Sequence, residues 1–407
     1  MPLVGHRQDG AAEIPGRPDP GRMPEGQLPV RRAAFVQRFW LAVMVLSGLL
    51  ALAGCADRPG ADVLREVTAV VPGAKQVTIY VATNRQHDPA GGDLFTTVRA
   101  DDMSYAEFTI SVPPQHEAGK IEWPHGNPDA HTDFVTVQHR PLDRVAFEAQ
   151  IARRQGTKKT RVGVFVPGYN TNFQEALFRL AQMTSDAGTD AAPILFAWPS
   201  EGTVTGYVAD KDAATASRDQ LVGLLTGLAQ NRKIDDITLI AHSMGCWLSA
   251  EALRQLRLTG KDAVIKRLTV VLAAPDIDVE VFEAQMAVIG PLSPPMTILV
   301  SRDDVALHMS SILANDRQRV GQIDVANPEV QAAARKANVE VVDISHLAAD
   351  DPFKHNRYAA LAAYYPKLAD THSATGGIKR VGAFVFDAVG TTVSAPFTLV
   401  GKAAFGE

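Results

Sequence analysis

Residues 238–249 read Thr-Leu-Ile-Ala-His-Ser-Met-Gly-Cys-Trp-Leu-Ser, and this stretch decides the fold. Its first part is a short apolar run of strand character. Its second part, from Met244, has the composition of a helix. At the junction stands Ala241-His242-Ser243-Met244-Gly245, a small-x-Ser-x-Gly pattern. Small residues two places either side of the serine let a strand and a helix approach each other across a sharp turn. A serine on that turn faces the free N–H groups and the dipole at the helix start, which stabilise a developing oxyanion. Ser243 is therefore the candidate nucleophile. The competing reading, a simple helix cap, lacks a reason for the strand–turn–helix setting.

The elements on either side repeat the theme. Apolar strand runs are expected at Thr160–Val166, Pro193–Trp198, Ile237–Ala241, Leu268–Ala273, Thr297–Ser301 and Val339–Asp343. Helical spacings are expected between them, at Phe173–Thr184, Ala213–Gln230, Met244–Leu258 and Val279–Ile289, and finally at Asn356–Tyr365. Strands that are apolar throughout, alternating with helices, predict a mostly parallel sheet covered on both faces. The first third reads as a strand-rich N-terminal lead-in, with strands at Gln76–Ala82, Glu107–Val112 and Phe134–Gln138 and a helix over Asp143–Arg154.

A serine nucleophile needs a base, and the base needs an orienting carboxylate. In a fold of this kind the chain order is serine, acid, histidine. Asp304, after the strand Thr297–Ser301, is the favoured acid; Asp303 is the runner-up and Asp276 a third choice. His355, in the loop opening the last helix, is the favoured base, with His346 after the last strand as its competitor. His242 adjoins Ser243 but is directed away by the turn. The Val166-Pro167-Gly168-Tyr169-Asn170 loop follows an earlier apolar strand, so the N–H of Tyr169 joins that of Met244 as an oxyanion donor, with Asn170 next. Residues 201–217 read either as a lid pivoting at Gly202 and Gly206, with Tyr207 over the site, or as a long surface loop.

The N-terminus reads as an address. Residues 1–30 are rich in Pro and Gly. Arg31, Arg32 and Arg38 precede an apolar run from Phe39 to Ala53, shorter than the ~20 residues a span needs. The run ends Leu52-Ala53-Gly54-Cys55, which resembles the lipobox of bacterial lipoproteins. That resemblance implies removal of residues 1–54, acylation of Cys55 and attachment to the cell envelope facing the periplasm, with the outer membrane favoured by Ala56. Residues 55–75 then form a lipidated tether, 76–370 the catalytic domain, and 371–407 an apolar tail.

Composition narrows the partners. The 407 residues carry a formal charge of −5, and removing residues 1–54 leaves 34 basic against 41 acidic residues. A mildly acidic chain without a basic block is a poor nucleic-acid binder. The two cysteines, Cys55 and Cys246, have better readings than a mutual disulfide. His116, His125, His131 and His139 fit no tight metal-ligand spacing, and no cofactor is expected.

Thr83-Asn84-Arg85, Pro167-Gly168-Tyr169-Asn170, Phe196-Ala197-Trp198-Pro199-Ser200, Ala241-His242-Ser243-Met244-Gly245, Ala274-Pro275-Asp276-Ile277-Asp278 and Ser301-Arg302-Asp303-Asp304 together resemble bacterial α/β-hydrolases long classed as a domain of unknown function. The resemblance covers residues 76–365. It implies an α/β-hydrolase fold, Ser243, Asp304 and His355 as a triad, and an esterase- or lipase-like activity on a small-molecule or lipid ester. Pro167 stands where that family usually has histidine, although the backbone donor survives the change. Acyl transfer by the same residues and a non-catalytic envelope scaffold are the other readings.

Overall fold

The chain falls into two units, Met1–Arg58 and Pro59–Glu407. In this computed structural model the described residues are 58–364, apart from 69–70, 89–94 and 155–158. Cys55, the proposed signal segment and the 371–407 tail lie outside them. No helix among the described residues is long and apolar enough to cross a membrane.

The second unit is built on one nine-stranded sheet. In chain order its strands are β1 (Lys75–His87), β2 (Phe95–Val112), β3 (Val135–Leu142), β4 (Thr160–Val166), β5 (Ala192–Ala197), β6 (Ile234–His242), β7 (Leu268–Ala273), β8 (Met296–Val300) and β9 (Val339–Asp343). They lie side by side as β3-β2-β1-β5-β4-β6-β7-β8-β9. The β3–β2–β1 lead-in is antiparallel, and every pairing from β1–β5 to β8–β9 is parallel.

Strand alternation sorts the apolar residues into two cores, one on each face of the sheet. On β4, Val162, Val164 and Val166 join the core beneath α1 (Arg144–Arg153), α4 (Arg218–Gln230), α5 (Met244–Leu258) and α7 (Val279–Ile289). Phe165 turns to the other core, beneath α2 (Phe173–Ala187) and α10 (Arg357–Ala360). The expected mostly parallel sheet covered on both faces is the observed one. Three further helices are the short α6 (Asp262–Ile265), α8 (Val305–Leu313) and α9 (Pro328–Ala337).

Three expectations change. The helix expected over 213–230 is two helices, α3 (Tyr207–Ala216) and α4, broken at the buried Ser217. The Asn84 side chain donates to Ser217 Oγ at 2.9 Å, and that hydroxyl donates back to Ala213 O at 2.7 Å. The break is thus pinned from β1, by contacts no local pattern carries. Residues 201–217 are accordingly mostly helical rather than a long loop. The segment from Pro59 is also laid against the sheet: a 3₁₀ turn at Ala61–Leu64 buries Val63 and Leu64, and Thr136 Oγ1 donates to Val63 O at 3.2 Å.

The strand–helix approach at Gly245 admits no side chain. A Cβ there would stand 2.5 Å from Val166 O and closer still to Pro167 O. Gly223, inside α4, has nothing within 4 Å of a built Cβ. Gly245→Ala is therefore expected to destabilise the domain by about 1–3 kcal/mol through overpacking. Gly223→Ala should stabilise it by about 0.5–1 kcal/mol. Denaturant midpoints of both variants check the contrast.

Candidate active site

Ser243 sits between β6 and α5 with φ 52° and ψ −119°, a conformation that L side chains seldom adopt. Three backbone bonds hold it there. Its N–H donates to Ala273 O at 2.9 Å, and its carbonyl accepts from Cys246 N at 3.0 Å and Asp276 N at 3.3 Å. The turn is therefore fixed by β7 and by the loop after β7, as well as by its own helix. Among the described residues no hydrogen bond is formed by the Ser243 hydroxyl.

The Pro167–Asn170 loop lies against this turn. A Cβ on Gly168 would meet His242 Nδ1 at 2.9 Å and Ser243 Cβ at 3.0 Å, so glycine lets the loop close on the serine. Trp198 Nε1 donates to Pro167 O at 2.8 Å. Asn170 takes the left-handed conformation, φ 55°, and its N–H donates to Asp210 Oδ2 at 3.0 Å. That N–H is thereby committed, which removes Asn170 from the oxyanion candidates and leaves Tyr169 and Met244. Asp210 is buried on α3 and also accepts from Ser200 Oγ at 2.7 Å and Glu201 N at 2.7 Å. Arg85 completes the brace, donating to Ser200 O at 3.0 Å; burial pulls its pKa down to about 10 against the charges of Asp210 and Glu201. The Thr83–Arg85 motif is thus scaffolding for the loop.

Asp304 and Asp303 are neighbours with separate tasks. Asp304 is buried at the N-cap of α8, where Oδ1 accepts from Leu307 N at 2.9 Å. Its Oδ2 lies 2.7 Å from His355 Nδ1. An ionised carboxylate only accepts, so Nδ1 carries the proton and Nε2 keeps the lone pair in the neutral ring. Asp303 instead engages Arg357 through both guanidinium nitrogens, Lys354 Nζ at 3.0 Å and Ser301 Oγ at 3.0 Å. The Arg357 bonds, outweighing partial burial, hold its carboxyl well below the usual range. Asp303 therefore frames the loop of residues 345–356, and the structure does not bring it to the histidine. The Asp276 carboxylate forms no hydrogen bond to the histidine; it accepts from Tyr207 OH at 2.9 Å and Ser310 Oγ at 2.5 Å and pairs with Arg319 at 3.2 Å.

His355 is placed from three sides. Asp351 accepts from its N–H at 3.0 Å and from Asn356 N at 2.8 Å. His242 Nε2 donates to its carbonyl at 3.2 Å, and the two rings lie 4.5 Å apart. His242 in turn stacks on Tyr358 at 4.2 Å. Burial, then the neighbouring His355, pushes His242 well below its ordinary pKa, so it is a neutral shelf. Burial alone would also lower His355, but the Asp304 hydrogen bond and the charges of Asp304, Asp276 and Asp351 override it and raise its pKa above 6.5. His346 is exposed, and burial outweighs Asp343 to lower its pKa. The residues missed by sequence reasoning are Asp351, Asp210 and Tyr207 in its bond to Asp276. Asp351 had a signal, an Asp before Pro opening a turn; the other two are long-range.

The four N-terminal histidines do not converge, and no group of three metal-ligating side chains forms among the described residues. His116 lies between Glu122 Oε2 at 2.8 Å and Asp186 Oδ1 at 2.7 Å. Burial is outweighed by these carboxylates, so its pKa is raised from 6.5. His139 pairs with Glu66 at 3.2 Å, His131 with Asp129 at 3.0 Å, and His125 is exposed.

Two titrations follow. The His355 imidazole, followed by NMR, should titrate above 6.5. In Asp304→Asn the midpoint should fall, because burial loses its main opponent. For His116 a raised folded-state pKa gives stability that is full below 6.5 and lost as pH rises through that pKa. The fall in denaturant midpoint between about pH 6 and about pH 9 should therefore be shallower in His116→Ala than in the wild type.

No curated protein matches the chain. The family model described as alpha/beta hydrolase of unknown function (DUF900) matches residues 143–371. The match starts just before α1 and takes in β4 to β9 with Ser243, Asp304 and His355. It leaves the antiparallel lead-in outside. A match over more than half the chain, on this sheet and with the serine turn after β6, makes the chain a member of the alpha/beta hydrolases of unknown function.

Proposed function

We propose that the protein is a serine hydrolase that cleaves carboxylic esters through an acyl-enzyme on Ser243 and is held to the cell envelope by acylated Cys55. The observation that carries the catalytic part is the 2.7 Å Asp304–His355 contact in the loops beside a serine at φ 52°. Holding a serine there costs about 1–3 kcal/mol, which a binding scaffold has no reason to maintain.

Each group has a task its surroundings suit. Ser243 Oγ attacks the acyl carbon as His355 Nε2 takes its proton. Asp304, buried and 2.7 Å from Nδ1, fixes the Nδ1–H tautomer and stabilises the imidazolium. The N–H groups of Met244 and Tyr169 receive the oxyanion, the first aided by the α5 dipole. The imidazolium protonates the leaving alcohol. His355 then activates a water to release the acid and free Ser243. The scheme needs no metal or cofactor. The raised pKa of His355 suits a group that must return a proton to the alkoxide.

Hydrolysis of p-nitrophenyl esters across acyl lengths tests the reading. Ser243→Ala and His355→Ala should each lower kcat/KM by at least roughly a thousandfold. His346→Ala and Asp303→Asn should retain activity within about tenfold, since neither touches the reacting atoms. Wild-type protein inert to every chain length would overturn the esterase assignment. Product appearing as a new ester with added alcohol would instead favour acyl transfer by the same residues.

A further inference from the structure

We infer that the edge of the sheet bearing Ser243 faces a lipid bilayer, and that the ester substrate is a lipid whose acyl chains lie in that bilayer. The inference rests on the hydrolase and Cys55-anchor readings proposed above.

The first observation is the apolar surface around the site. Helix α8, Val-Ala-Leu-His-Met-Ser-Ser-Ile-Leu, contains no Asp, Glu, Lys or Arg. It buries Leu307, Ser310 and Ser311 and turns Met309, Ile312 and Leu313 outward together with one polar residue, His308, and Leu313 is 72% exposed. A surface helix ordinarily presents polar residues to water. Phe353, exposed in the loop that carries His355, sits at the start of this helix, where its carbonyl accepts from Val305 N at 2.9 Å. Tyr207 OH lies 3.0 Å from Ser310 Oγ and brings the first turn of α3 alongside. There Val204 and Val208 are exposed, Val208 at 73%. Isolated apolar side chains on a surface need no explanation; a group from three elements, ringing one site, marks an interaction face.

The second observation fixes what covers that face. Pro59 O accepts from Asn172 Nδ2 at 3.2 Å and Gln174 Nε2 at 2.9 Å. Asn172 caps α2 and lies two residues past Asn170, so the chain is pinned at the same edge as the oxyanion loop. Cys55 is four residues earlier, and four residues reach at most about 14 Å. An acyl anchor at Cys55 therefore holds the catalytic edge against the membrane surface. A helix face of Met309, Ile312 and Leu313, with no carboxylate, lysine or arginine, is what the acyl boundary accepts. Both features point to one partner, the bilayer itself.

Position 312 reports the geometry independently of catalysis. The full acylated chain, carrying Ile312→Cys with an environment-sensitive fluorophore, is placed in phosphatidylcholine vesicles containing some phosphatidylglycerol. Cys246 is buried and does not compete for the label. Lys266→Cys, exposed just before β7 at the opposite edge, is the control. A lipid-borne nitroxide should quench the 312 label at least roughly fivefold more than the 266 label. In a second arm, Ile312→Glu with Leu313→Glu should slow hydrolysis of vesicle-held dioleoylglycerol at least roughly tenfold and leave a short soluble ester within about twofold. Equal quenching at both positions overturns the inference. So does a 312 label shielded from water yet unquenched by the nitroxide, which would place residues 365–407 or a second copy on the face. If wild type cleaves no ester of either kind while the 312 label is quenched, the hydrolase reading fails and the orientation stands.

Discussion

At Gly245, α5 meets the carbonyls of Val166 and Pro167 at a distance that leaves no room for a Cβ. Only a glycine admits that approach, and the approach forces Ser243 into its positive-φ turn. The same closeness carries the Gly168 loop onto the serine from β4. Backbone bonds to Ala273 O and from Asp276 N then tie the turn to β7 and the loop beyond it. The parallel β4–β6–β7 core thus acts as a rigid frame for one strained residue. Strain of this kind persists only where the surroundings over-determine it.

Buried charge around the turn is arranged so that nearly every group has a partner. Two adjacent aspartates divide the work. Asp304 orients His355, and Asp303 binds Arg357 and Lys354 to shape the loop that carries it. Arg179 Nη2 reaches Asp350 at 2.6 Å and secures the same loop from α2. Asp276 is spent on Tyr207, Ser310 and Arg319, which lock α3 to α8. Burial raises the Tyr207 pKa, and the charge of Asp276 adds to it. Lys211, one turn on, is drawn down to about 8 by burial, against Asp276, and lies over the Trp247 ring at 3.5 Å. The lid-like segment is therefore bound to the site by polar contacts on its inner side, while Val204 and Val208 face outward.

The central fold was legible because its signals are local. Apolar runs such as Thr160–Val166 and Leu268–Ala273 became strands with the same bounds, and the small-x-Ser-x-Gly turn needed only its neighbours to be read. What escaped was set at long range. The break at Ser217 comes from Asn84, far back in sequence. The 18 residues of β2 exceed the expected Glu107–Val112 because its charged first half pairs with the end of β1. Helix α9 was not expected, since its ten residues are mostly polar or small and bury little beyond Ala334. The last helix, expected over Asn356–Tyr365, turns into a 3₁₀ segment after Ala360. At the site, order in the chain pointed to Asp304 and His355, but separating Asp304 from Asp303 needed the positions of Arg357 and Lys354.

Whether Ser243 is an activated nucleophile is read by peptide mapping with mass spectrometry after reaction with a fluorophosphonate. A single adduct is expected on the peptide containing Ser243, formed by the native protein, lost on unfolding in urea, and strongly slowed in His355→Ala. An adduct on another residue, or none on native protein under conditions that label a known serine hydrolase, would contradict it.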